Sequence, residues 1–204
     1  IVQDPATAPA TELLDLKPGL KVLDACAAPG GKTVQIAWRM GQPDSNANHL
    51  LVAFDLREDR LETVRANLAR TRQTWVTVCQ GDLTDNPHAA LEPFGLFDRI
   101  LIDAPCSNSG VLRRRPDARW RWTTKRMKKL AATQLLMLEN ALAFLAPKGR
   151  LVYSTCSLEP EENRKQITAL RRAHPELVCI AVEERLPARS KTDGSFACAL
   201  ERQP

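Results

Sequence analysis

The sequence is poor in the residues from which metal centres and disulfide frameworks are built. It has three histidines, and none of its six cysteines, at 26, 79, 106, 156, 179 and 198, stands in a C-x-x-C pair. No zinc or other metal site is expected from such spacing. Nor does the spacing match a disulfide framework, so reduced thiols and a cytoplasmic location are expected. No apolar run reaches the ~18 residues of a membrane span, and no basic leader precedes an apolar stretch. The G-x-G-x-x-G fingerprint is missing, which weakens a nicotinamide reading. Gly31-Lys32-Thr33 resembles the tail of a P-loop, but that pattern requires glycine where Cys26 stands, which excludes a nucleoside triphosphatase.

Acids are scarce in one segment. Between Arg113 and Lys129 there are nine lysines or arginines against one acid, Asp117, with Trp120 and Trp122 among them. Guanidiniums neutralise phosphates and indoles stack on unpaired bases, so Arg113, Arg114, Arg115, Arg119, Trp120 and Arg121 are candidate RNA contacts. The alternative is a solvated charged face at a helix start. The net charge of +5 adds a weak preference for a polyanionic partner.

What the chain does have is a regular alternation of apolar runs and helical stripes. Strands are expected at Lys21–Asp24, Leu50–Phe54, Trp75–Cys79, Phe97–Ile102 and Arg150–Ser154, and helices at Gly31–Arg39, Arg57–Arg70 and Glu159–Ala173. Ala131, Leu135, Leu138, Leu142 and Leu145 mark a long helix, capped near Thr123 or Thr124 and stopped before Pro147-Lys148-Gly149. Leu177–Val182 and Ser195–Leu200 read as an antiparallel pair; Met40–His49 and 183–194 read as loops. The pattern predicts an α/β fold, Rossmann-like, with a doubly wound, mostly parallel seven-stranded sheet and a C-terminal antiparallel hairpin. One domain spanning 1–204 is expected. The chain opens at Ile1 rather than Met, which reads as a domain excised from a longer protein.

Ligands of such sheets bind at the carboxyl edge of the strands. Asp24, Asp55, Asp82, Asp103 and Cys156 all fall at or just beyond predicted strand ends. The turn Cys26-Ala27-Ala28-Pro29-Gly30-Gly31-Lys32 uses small residues that let backbone approach a ligand. Asp55, one βα unit later, can accept the hydroxyls of a ribose, and Asp82 an adenine amino group. No group is supplied for a pyrophosphate. These features favour S-adenosylmethionine as the cofactor, with Arg60 a further candidate contact.

Two cysteine tripeptides, Pro105-Cys106-Ser107 and Thr155-Cys156-Ser157, each follow a strand-like run. A thiol beside a methyl donor is what carbon methylation of a pyrimidine needs, because thiolate addition at carbon 6 makes carbon 5 nucleophilic. Residue reading alone leaves open which thiol attacks. Cys79, Cys179 and Cys198 sit in strand-like runs and read as packing.

At this point the chain resembles a known family. VLDACAAPGGKT, ILIDAPCSNSGVLRRRPDARW and LVYSTCSLEPEEN are similar to the motifs of the RNA cytosine-carbon-5 methyltransferases of the Nop2/Sun family. The likeness is strongest to the bacterial Sun/Fmu-type ribosomal RNA branch. It runs from Val2-Gln3-Asp4 to Asp193-Gly194 and Phe196. The resemblance implies a class I S-adenosylmethionine-dependent methyltransferase fold, with Cys26 to Lys32 as the cofactor loop, Asp55 on the ribose and Asp82 by the adenine. It implies Asp103 between cofactor and base, Cys156 as nucleophile and Cys106 in proton removal and release. The implied substrate is RNA, ribosomal in that branch, acted on by a monomer that elsewhere carries an N-terminal RNA-binding domain. Asn108-Ser109 departs from the family, where many members have glycine or another small pair, and is expected to narrow the entry for the base. Rival readings are methylation of an exocyclic amine, which needs no thiol, and a non-catalytic RNA-binding or assembly factor, which needs neither Cys156, Cys106 nor Asp103.

Overall fold

The computed structural model describes residues 2–43, 50–85 and 87–203. Seven strands, β1 (Lys21–Asp24), β2 (Leu50–Asp55), β3 (Thr77–Gln80), β4 (Phe97–Asp103), β5 (Leu145–Thr155), β6 (Leu177–Arg185) and β7 (Ser195–Arg202), form one sheet. Their order is β3-β2-β1-β4-β5-β7-β6. The first five pair in parallel, and β7 runs antiparallel between β5 and β6. The helices are α1 (Ala8–Glu12), α2 (Gly31–Met40), α3 (Glu58–Arg70), α4 (His88–Leu91), α5 (Asp117–Arg121), α6 (Thr124–Leu142), α7 (Arg164–Ala173) and α8 (Pro187–Ser190). The expected fold class is the observed one. No described helix is long and apolar enough to cross a membrane.

Strand side chains alternate between two cores. Leu23, Val52, Phe54, Ile100, Ile102, Leu151 and Tyr153 point to one face, where Leu138, Ala141 and Leu142 of α6 and Leu170 of α7 cover them. Val22, Leu51, Ala53, Leu101 and Val152 point to the other, under Ile36 and Ala37 of α2 and Leu61 and Val64 of α3. Strands buried on both faces read as unbroken apolar runs, which is why they were legible.

Several boundaries differ from the sequence reading. β3 begins at Thr77 rather than Trp75. Pro147-Lys148-Gly149 was expected to stop the long helix, but that helix ends at Leu142 and the tripeptide lies inside β5. A register shift against β4, between Phe97 and Arg99, absorbs the irregularity. The helix expected from Glu159 starts at Arg164, so the glutamates precede it. β6 and α8 occupy much of the expected loop 183–194. Of the expected loop Met40–His49, Met40 closes α2 and residues 44–49 lie outside those described. Thr123 caps α6 as expected, its side chain accepting from the Arg126 N–H at 3.1 Å. The helix α5, which carries Trp120, had no signal in the pattern.

A charge box joins distant parts of the chain near the carboxyl edge. Arg113 binds Asp4 at 3.0 Å and Asp193 at 2.6 Å; Arg114 binds the same pair at 2.7 and 2.8 Å. Burial resists ionisation of Asp4, but N–H groups of Ala6 and Asp193 and the Arg114 guanidinium outweigh it and hold the carboxyl at about 2. A depressed carboxyl stabilises the fold above its unfolded value of 3.8, and that contribution is lost as pH falls through about 2. We expect Asp4→Asn to destabilise the protein by about 1–2 kcal/mol at neutral pH, the arginines being half exposed and screened. Denaturant melts across pH should show parent and variant converging between pH 3.8 and about 2; parallel curves would refute the assignment.

Candidate active site

The carboxyl ends of β1, β2, β4 and β5 open into one cleft of about 730 Å³, within the usual range for a small-molecule site. It is lined by Cys26, Ala28, Asp55, Asp82, Arg57 and Arg60, by the apolar Phe54, Leu56 and Leu83, and by Cys106, Asn108, Cys156, Lys32 and Asp103, among others. The fold therefore brings together the candidate cofactor and thiol residues. Asp24 does not reach the cleft. It is fully buried, which lifts its carboxyl to about 7, and among the described residues only one of its oxygens has a partner, the Thr33 hydroxyl at 2.7 Å.

In the turn after β1, Ala27, Pro29, Gly30 and Gly31 shape the backbone without lining the cleft. Gly30 sits at φ 99°, and a Cβ there would lie 3.2 Å from the Val64 Cα, so glycine is required. Asp55 and Arg60 hold this turn as well as line the cleft. The Asp55 carboxylate accepts the Ala28 N–H at 3.0 Å, and the Arg60 guanidinium donates to the Ala28 carbonyl at 2.7 Å. One Asp82 oxygen accepts the N–H and hydroxyl of Thr84.

Lys32 and Asp103 form an ion pair at 2.6 Å, and the Ser154 hydroxyl donates to the other Asp103 oxygen at 3.0 Å. Burial works against the Lys32 ammonium, but Asp103 outweighs it and raises the lysine above its ordinary value.

The two thiols meet at 3.3 Å. Their hydrogen bond divides the protons between them. It lowers Cys156 against the effects of burial and of Asp103, with Lys32 assisting. The same contact, followed by burial, lifts Cys106 well above its ordinary value. Asn108 touches both loops. Its amide nitrogen donates to the Cys106 carbonyl at 3.3 Å, and its oxygen accepts from the Cys156 thiol at 3.0 Å. Asn108 has φ 62°, a left-handed conformation that glycine adopts freely and asparagine tolerates better than most residues. The backbone there thus accepts asparagine in place of glycine.

The sequence reading missed what holds the thiols there. Glu162, fully buried, accepts from the Ser107 N–H at 2.9 Å, from Gln134 of α6 at 3.0 Å, and from the hydroxyls of both Ser107 and Ser157. Gln134 also donates to the Pro105 carbonyl at 2.9 Å. Gly110 donates its N–H to the Cys156 carbonyl at 2.9 Å and accepts from Gly194 at 2.8 Å. A Cβ on Gly110 would stand 2.7 Å from the Cys156 carbonyl oxygen, so no side chain fits. Glu162 lies in a motif singled out from the sequence, but nothing there distinguishes it from the half-buried Glu159 and Glu161.

Among the basic candidates the structure makes a division. Arg113 and Arg114 are matched by Asp4 and Asp193 and clamp the loop after β4. Arg115 lines the cleft. Arg119, Trp120 and Arg121 lie on α5, and Trp120 is 84% exposed.

Known proteins are similar to this chain in sequence and in fold. Ribosomal RNA small subunit methyltransferase B of Vibrio cholerae serotype O1 is 38% identical over 208 residues, covering 99% of this chain and 46% of the relative. The protein of the same name from Yersinia pseudotuberculosis serotype O:1b is 40% identical over 176 residues, covering 86% of this chain and 39% of the relative. The chain thus spans less than half the length of these curated relatives. Among solved structures, NSun6 from Pyrococcus horikoshii with SFG matches with a TM-score of 0.86 at 27% identity, over 99% of this chain and 53% of the other. A methyltransferase homolog protein from Pyrococcus horikoshii matches with a TM-score of 0.80 at 30% identity, over 99% and 68%. The resemblance read from the motifs is borne out. The family model described as 16S rRNA methyltransferase RsmB/F matches residues 11–200, and the chain belongs to that family.

Proposed function

We propose that this chain is the methyl-transferring part of an S-adenosylmethionine-dependent ribosomal RNA methyltransferase, that the accepting atom is carbon 5 of a cytosine, and that Cys156 is the nucleophile. The observation that carries the reading is the pair of thiols 3.3 Å apart, in the same cleft as the Asp55 and Asp82 carboxylates. The cleft fits the cofactor. Apolar residues of its lining suit an adenine, and Asp55 and Asp82 offer acceptors to its ribose and amine. When bound, its sulfonium supplies an electrophilic methyl group.

The residues divide the remaining work. Cys156, whose proton affinity is lowered, adds to carbon 6 of the ring. The Lys32–Asp103 pair holds a proton that can pass to ring nitrogen 3 as negative charge develops there. Carbon 5 then takes the methyl group. Cys106, once its own proton has passed to solvent, is a strong base because its surroundings disfavour the anion, and it removes the carbon 5 proton. The electron pair of that bond restores the ring double bond and expels Cys156, and the proton on nitrogen 3 returns to the Lys32–Asp103 pair. The target base must leave its stack to reach this depth. Methylation of an amine would leave both thiols and the network around them without a role.

On RNA carrying 5-fluorocytosine the ring cannot shed a proton, so the Cys156 peptide should retain the nucleotide in a mass spectrum. An unmodified peptide after turnover would refute the covalent route. Cys156→Ala should abolish transfer while cofactor affinity persists, whereas Cys106→Ala should accumulate a denaturant-resistant RNA adduct on a gel. Glu162→Gln replaces one of two accepting oxygens by a donor, facing the Ser107 N–H or the Gln134 amide. We expect a loss of ~2–3 kcal/mol in stability and at least a tenfold fall in kcat with cofactor affinity kept; unchanged kcat would show that the thiols hold their own geometry.

A further inference from the structure

A second, smaller hollow of about 50 Å³ adjoins the cleft, lined by Ser107, Asn108, Arg115, Arg121, Trp122 and Arg126, among others. Asn108, Arg115 and Arg126 wall both spaces. Because the Asn108 amide also touches the Cys156 sulfur at 3.0 Å, the hollow stands one side chain away from the proposed nucleophile.

Its chemistry is anion-seeking. Three guanidiniums face it, and the acid beside them is Asp117, which contacts Arg115 at 3.4 Å and also pairs with Arg121. Arg126 has no ion-pair partner among the described residues. The first turn of α6, a helix of 19 residues, forms one wall through Thr123, Arg126 and Met127, and its dipole favours negative charge there. At ~10–15 Å³ for each water-sized group the hollow has room for about four, comparable with the oxygens of a phosphodiester. Trp122, 41% exposed, offers an indole face at its rim.

We propose that this hollow is a nucleotide subsite. Arg115, Arg121 and Arg126 bind a backbone phosphate of the RNA strand beside the extruded cytosine, and Trp122 stacks on a neighbouring unpaired base. The proposal rests on the RNA reading above and goes beyond it in naming Arg126 and Trp122, and in setting Arg113 and Arg114 aside as a structural clamp.

Binding of a single-stranded RNA substrate by the full chain, measured against salt, tests this. Removal of one phosphate-binding cation should flatten the slope of log affinity against log salt by about 0.7. Arg126→Gln should show that change and a raised KM for RNA, with kcat at saturating RNA held within about twofold. Arg126→Lys should keep the slope. Replacing Arg115, Arg121 and Arg126 together by glutamine should take about 2 from the slope. Trp122→Ala should weaken binding about five- to a hundredfold with the slope preserved. Lys17→Gln, ahead of β1 at the opposite edge of the sheet, should change nothing, and Arg113→Gln should lower the melting temperature with the slope kept. An unaltered slope in Arg126→Gln, in a parent that binds and methylates RNA, would overturn the subsite alone. A parent that neither binds nor methylates RNA would overturn the subsite and the proposed function together.

Discussion

The site depends on one buried carboxylate. Cys106 and Cys156 come from loops fifty residues apart in sequence, and a thiol is too weak a hydrogen-bond donor to draw two loops together. Glu162 does so instead. Each thiol is followed by a serine, and both serine hydroxyls donate to the same carboxylate, so each Cys-Ser unit turns its sulfur to the cleft and its oxygen to Glu162. The Ser107 N–H and Gln134 complete the shell. A buried charge is costly unless its hydrogen bonds are made; here both oxygens are fully used, and the network specifies one arrangement of the loops. Asn163 extends it, accepting from the Thr155 hydroxyl at 2.6 Å and donating to the Ser157 carbonyl at 2.8 Å.

Topology supplies the other half of the constraint. Because β7 runs antiparallel to β5, the start of β7 lies beside the end of β5, with Thr155 opposite Phe196. Asp193 and Gly194 are thereby delivered to the rim of the cleft. Gly194 closes on Gly110 with no room for a side chain between them, and Asp193 anchors the arginine pair that follows the Cys106 loop. A parallel strand in that place would have carried these residues to the far edge of the sheet.

This explains which features were legible in the sequence. Apolar runs mark strands buried on both faces, and carboxylates at their ends mark the ligand edge, so Asp55, Asp103 and Cys156 could be placed from local pattern. Glu162 could not. It falls in the first turn of the helix expected at Glu159–Ala173, and periodicity cannot tell which of three clustered glutamates turns inward. Asp24 failed in the opposite sense: it ends a strand as expected, yet Thr33 draws it into the interior. Arg113 and Arg114 read as free cations because their partners, Asp4 and Asp193, are distant in sequence and come near only in the folded chain. Pro147-Lys148-Gly149 misled because a breaker stops a helix in most contexts, whereas here an irregularity at the start of β5 accommodates it, with Lys148 at φ 60°.

The same folded charges bear on a question that residue types leave open, namely which thiol attacks in the proposed reaction, and they favour Cys156. The contact with Cys156 and then burial disfavour an anion at Cys106, and Glu162 adds to this. The contact with Cys106 favours an anion at Cys156, and Lys32 adds to it, though Asp103, the lysine's ion-pair partner, outweighs the lysine. The proton donated by Cys106 is therefore the principal stabiliser of a Cys156 thiolate. Nucleophile and base are then not independent parts. Cys106 must keep its proton while Cys156 is an anion, and that stabilising role ends once the Cys156 sulfur is bonded to carbon and no longer accepts a hydrogen bond. In the proposed reaction, formation of the covalent bond thus itself lowers the cost of deprotonating Cys106, the step that frees it to act as a base. The proposed order of steps follows from the 3.3 Å contact, beside which the Glu162 network ties the two loops together.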